Sequence, residues 1–122
     1  MNAIQSERAQ LLATLKAAKL NALDHLPGRL VPPAALILPG APYLEPADQF
    51  GQTRLRIEVL LVVATGENST QTKDLDALIV KATAAVIADG WTFGSVAKPG
   101  MLASGGGAYL STSINLSTLV TL

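Results

Sequence analysis

Residues 54–63 read Arg54-Leu55-Arg56-Ile57-Glu58-Val59-Leu60-Leu61-Val62-Val63, and their alternation decides the fold class. In an extended chain successive side chains point to opposite faces, so Leu55, Ile57, Val59, Leu61 and Val63 share one apolar face. Arg56 and Glu58 occupy the other face first, and Leu60 and Val62 then take it over. The first half therefore predicts a strand with one face on a core and one in solvent. The second half is apolar on both sides and calls for cover from beyond the domain's own core.

Upstream, Ala34 to Leu38 is a short apolar run closed by Pro39 and Gly40, the pattern of a strand buried on both faces. Before it, Ile4, Leu11, Leu12, Leu15 and Ala18 fall on one helical stripe, which predicts a helix from about Gln5 to about Leu20. Pro27-Gly28 and Pro32-Pro33 stop helix from continuing. Between the two strands, Pro39 to Thr53 holds three prolines with Tyr43 and Phe50 and has no regular period, so it reads as a long, mobile loop.

Downstream, the polar turn Gly66 to Thr72 leads into Leu75, Leu78, Ile79, Ala82 and Val86 at helical spacing. This helix ends at Asp89, with Gly90 as a left-handed stop. Its opposite side carries Val80, Ala84 and Ile87, a second stripe that a solvated helix does not need. Trp91 to Lys98 reads as a third strand, Pro99 to Gly107 as a glycine-rich connection, and Ala108 to Leu122 as a fourth strand. The expected fold is α+β, one domain over residues 1–122 in the order α-β-β-α-β-β. Its mainly antiparallel four-stranded sheet carries two helices packed on one face.

Composition narrows the function classes. Nine Lys and Arg balance nine Asp and Glu, so no net field would hold the chain on a phosphate backbone or an anionic membrane. Cysteine is absent, which removes disulfides and thiolate metal sites. The strongest apolar run, Val59 to Ala64, is far shorter than the roughly 20 residues that a membrane helix needs. A soluble chain with 49% hydrophobic and 15% charged residues, against a typical charged fraction of about 25%, has few charges to coat a free monomer. That imbalance favours a surface partly covered by partners.

Candidate chemistry is sparse. His25 is the single histidine and lacks a nucleophile and an orienting acid at recognisable spacing. Asp74 and Asp76 diverge on a helix and better complement its dipole, and Glu45 and Asp48 fall short of the ligands that a calcium site gathers. After Ser104, Gly105, Gly106 and Gly107, residues Ala108, Tyr109 and Leu110 open a strand, not the helix that a phosphate loop requires. These readings predict no catalytic residue, no metal and no cofactor. The interface candidates are Tyr43 and Phe50 in the loop, then Arg54, Arg56, Glu58, Leu60 and Val62 on the second strand face. Val80, Ala84 and Ile87 on the second helix and residues Ser104 to Gly107 complete the set.

Several stretches together carry a likeness to a known family. They are the leading helix, Pro32-Pro33-Ala34-Ala35-Leu36-Ile37-Leu38-Pro39-Gly40, Pro42-Tyr43-Leu44-Glu45-Pro46, Leu55-Arg56-Ile57-Glu58-Val59, the Asp74-to-Asp89 helix, Trp91 and Ala108-Tyr109-Leu110. In order and texture the chain resembles the tail terminator proteins of long-tailed bacteriophages, also called minor tail protein U-like or tail completion proteins. That resemblance implies a homohexameric ring in the virion tail or neck, made in the host cytoplasm, that caps the tail tube protein and stops its growth. It also implies docking to the head-tail connector protein, DNA passing through the lumen without specific binding, and no covalent chemistry. The family supplies no invariant site residue to carry over. A head completion or neck connector protein is the alternative within the virion, and a small-molecule-binding domain using Tyr43, Phe50 or Trp91 is the alternative outside it.

Overall fold

The structure, a computed structural model, describes residues 2–25, 27–48, 50–64, 68–104 and 107–122. In chain order these form α1 (Ala3–Ala17), β1 (Ala22–Leu23), β2 (Ala34–Pro46), β3 (Thr53–Ala64), α2 (Asn68–Ala88), β4 (Thr92–Val96), β5 (Gly100–Ser104) and β6 (Gly107–Val120). The α+β class expected from the sequence is present, with six strands where four were expected. The sheet order is β1-β2-β3-β6-β4, with β5 also paired to β6. Every pairing is antiparallel except β1 with β2.

Helix α1 starts two residues earlier than the periodicity predicts because Asn2 caps it. The Asn2 side-chain oxygen accepts from the Gln5 amide at 2.8 Å, and the Gln5 side chain accepts from the Asn2 amide at 3.0 Å, which pairs two amides that a helix start leaves unbonded. It stops at Ala17 because Lys19 turns to φ +65°, with Leu20 N–H donating back to the Leu15 carbonyl at 3.1 Å. A glycine would make that turn without steric cost; lysine gives no such signal, so the sequence places the end too late. For α2 the signal exists: Gly90 has φ +91°, and Trp91 N–H reaches the Val86 carbonyl at 3.2 Å.

Both helices lie on one face of the sheet. Leu11 and Leu15 of α1 and Leu75, Ala82 and Val86 of α2 pack on Ala35, Ile37, Ile57, Val59, Leu61, Ile114 and Leu116. Full burial of each larger side chain contributes about 1.5–3 kcal/mol. The register explains the shared face: Val59 stands between Ile37 and Ile114, and Ile57 between Pro39 and Leu116.

The other face corrects one expectation. Val62 is 0% exposed within the single chain, where it packs with Leu30, Ala34 and Leu36, and Leu23, Leu38, Leu60, Leu102 and Tyr109 close around them. The chain covers this apolar half-face itself, using the segment before β2 and the strand β5.

Two segments expected as connections are largely strand. β2 continues through Pro46, with its register to β3 broken between Pro39 and Leu44. Its prolines are compatible with a strand because β1 pairs β2 only at Ala35 and Leu36, so beyond them β2 is an edge, where proline's missing N–H costs no ladder bond. The glycine-rich connection contains β5, paired with β6 from Gly100 opposite Ser111 to Ser104 opposite Gly107. Gly105 and Gly106, expected at its tip, lie outside the described residues.

Gly40 marks a close approach between β2 and β3. A Cβ there would lie 2.8 Å from the Arg56 carbonyl carbon and its Cβ, so the backbones would have to separate. Gly40→Ala is expected to destabilise the protein by about 1–3 kcal/mol. Urea denaturation measures it, and an unchanged midpoint would mean that this edge gives way freely.

Candidate functional site

The expected interface residues divide into three groups once folded. The first is polar and lies on the sheet face opposite the helices. Arg54 stands across from Glu45 in the β2–β3 register, and the Glu45 carboxylate accepts from Arg56 Nε at 2.9 Å and also from its Nη2. Arg54 Nη1 stands 3.7 Å from the same oxygen. These arginines thus find their acid on the neighbouring strand of the same chain. Glu58 is half-buried and faces Leu38 on one side and Asn115 on the other. Two arginines and two carboxylates leave this face without net charge, and the partly exposed pairs contribute little to stability.

The second group lies on the outer side of α2 and the adjoining edge strand. Val80 is 69% and Ile87 51% exposed, and Ala84 between them is exposed as well. With Phe93, 40% exposed, and the half-buried Val96 they line an open groove of about 380 Å³ along β4. β4 is the last strand of the sheet on this side. Sequence reasoning found the helix residues but not Phe93 and Val96. A register shift between Phe93 and Ser95 puts residues three apart on one face and hides their alternation.

The third group is the β2–β3 hairpin tip. Phe50 is 106% exposed, and Gly51 turns the chain with φ +79°. Leu44, Gly51 and Leu122 border a shallow hollow behind it. Tyr43, expected in the same surface, belongs elsewhere: it is half-buried, packed against the helix-side core. Ser104 and Gly107 pair with each other across β5 and β6.

His25 Nδ1 lies 2.8 Å from the carboxylate of Asp24. That hydrogen bond, opposed by slight burial, holds the Asp24 carboxyl below its ordinary value. Both side chains are more than half exposed, and nothing around them supplies a nucleophile. Trp91 is buried, its indole N–H donating to Asp89 at 3.2 Å, so it lines no ligand pocket. Among the described residues no group of three or more His, Cys, Asp or Glu is arranged to hold a metal ion, and no helix is long and apolar enough to cross a membrane.

A wider cleft of about 690 Å³ lies between the end of α1, the Val31–Ala34 segment and α2, with Lys19, Asp74 and Lys81 at its margin. Its charged groups form no ion pair with one another. The chain matches no protein-family model and no curated protein.

Proposed function

We propose that the protein is a structural subunit of a phage virion: it forms a homohexameric ring that caps the tail tube, stops its growth and joins it to the head-side connector. The observation that carries this reading is the clustering of exposed apolar side chains at two separate places, the α2–β4 groove and the hairpin tip. A monomer low in charge has no use for both. Subunits of a ring each need two different surfaces, one to give and one to receive. The sequence likeness to tail terminators supplies the rest of the assignment, and the strands β2, β3, β6 and β4 form the sheet that each subunit contributes.

The uncharged balance of Arg54, Arg56, Glu45 and Glu58 suits a surface that DNA slides past, since phosphate is held by uncompensated cations. Capping has a plain physical basis. A tube of stacked rings is a head-to-tail assembly that stays open to addition until a non-propagating subunit covers its last surface.

Deleting the gene from its virus is expected to leave heads and tubes intact but unjoined, with tubes growing past their normal length. Tail lengths measured by electron microscopy test this. Tails of wild-type length beside unjoined heads would assign the protein to the neck instead and end the terminator reading.

A further inference from the structure

The cleft between the end of α1, the Val31–Ala34 segment and α2 has a fixed frame. Asn21 ties two of its walls together: its side-chain amide donates to the Val31 carbonyl at 3.1 Å, and its own carbonyl accepts from the Ala35 amide at 2.9 Å. Pro32 and Pro33 hold their φ angles between those two bonds. The cleft is floored by apolar side chains, with Leu20 and Val63 buried and Leu78 half-buried, while Val31 on its wall is 64% exposed. Its volume of about 690 Å³ falls within the roughly 300–1,000 Å³ of small-molecule sites.

Charge is unevenly placed around it. Gln10 Nε2 donates to Asp89 at 3.0 Å, and further along the chain Lys19 shares the cleft with Asp74 and Lys81, so the two helices run antiparallel. From Gln10 to Lys19 the chain rises about 13 Å; the same distance back from Asp89 reaches the turn of α2 that holds Lys81. Asp74 lies two turns, about 10 Å, further along α2. Two ammonium groups thus stand at one end of the cleft and a carboxylate at the other. Among the described residues neither lysine forms an ion pair. Lys19 holds φ +65°, a turn that glycine makes without steric cost, so its ammonium is what a lysine adds at that position.

We propose that this cleft binds a small amphiphilic carboxylate, its head group between Lys19 and Lys81 and its apolar body over Leu20, Val63 and Leu78. A cationic head would meet two like charges, and an uncharged molecule would gain nothing from either lysine. A concave site with its cations at one end suits a compact ligand with one charged end. The inference stands apart from the ring reading, since neither the α2–β4 groove nor the hairpin tip contributes to this cleft.

Decanoate is the probe, with decanol and decyltrimethylammonium as uncharged and cationic controls, each titrated into the full chain and followed by its amide NMR signals. Decanoate should move the signals of Lys19, Asn21, Val31 and the Asp74–Lys81 stretch. Octanoate should bind more weakly, by at most about fourfold per methylene removed. Lys19→Gln and Lys81→Gln should each weaken binding by up to about fivefold, the range of an exposed ion pair, and Asp74→Asn should tighten it. Opposite signs at positions around one cleft follow from a head-group contact and not from a general loss of packing. Ala77→Glu, at an exposed helix position on the cleft wall, should abolish binding with a thermal transition within a few degrees of wild type. Decanol or decyltrimethylammonium binding as tightly as decanoate would overturn the proposal. So would affinity unchanged by both lysine substitutions, or no movement of these signals at millimolar decanoate. Native mass measured on the same samples reports the ring separately, so either reading can fail without the other.

Discussion

Ala84→Glu should yield a folded protein that no longer assembles. Ala84 is exposed on α2 within the single chain, and glutamate is nearly as good a helix former as alanine, so the subunit itself loses at most a few tenths of a kcal/mol. On the ring reading proposed above, the same position lies in an apolar contact between subunits. A carboxylate buried there without a partner costs several kcal/mol per contact, and every subunit would carry that cost. The expected result is a thermal transition within a few degrees of wild type and a native mass of one chain. A variant that still forms rings would show that the outer side of α2 faces solvent in the assembly, and the placement of the subunit contact would fall.

Val62→Asp should behave in the opposite way and prevent folding. Val62 is 0% exposed and sealed between Leu30, Ala34 and Leu36. Burying a carboxylate in such a place again costs several kcal/mol, now charged to the fold itself, whose total stability is on the order of 5–15 kcal/mol for a domain. Circular dichroism and limited proteolysis should report an unfolded or aggregating chain. A folded monomer would instead show that this half-face opens and is covered by a neighbouring subunit. The two substitutions thus separate an apolar surface kept for assembly from one that the chain closes over itself.

Much of the fold was legible because it follows from side-chain period. The alternation in residues 54–63 named the core face of β3, and the register of β3 with β6 sets Ile114 and Leu116 beside it. Helical spacing named Leu11, Leu15, Leu75, Ala82 and Val86, all buried as expected. The stripe of Val80, Ala84 and Ile87 was legible for the same reason. Local signals misled where chemistry and context disagreed. Pro39, Pro42 and Pro46 read as a loop but sit on an edge stretch of β2 that asks for no N–H there. The segment after Pro99 read as a connection but contains a short strand, Gly100–Ser104, against β6.

The sequence by itself determined which residues alternate, which recur at helical spacing and how few charges remain, because these depend only on the chain's own geometry and composition. Tertiary structure alone decided which apolar surfaces are closed and which stay open. Val62 and Val80 are the same residue type, and each follows two apolar residues in the sequence. One is sealed by Leu36 of the paired strand β2 and by Leu30 from the segment before it, and the other lies on the outer side of α2, where only the edge strand β4 comes near. Burial is a property of long-range packing, and no local pattern encodes which distant segment will arrive to provide it.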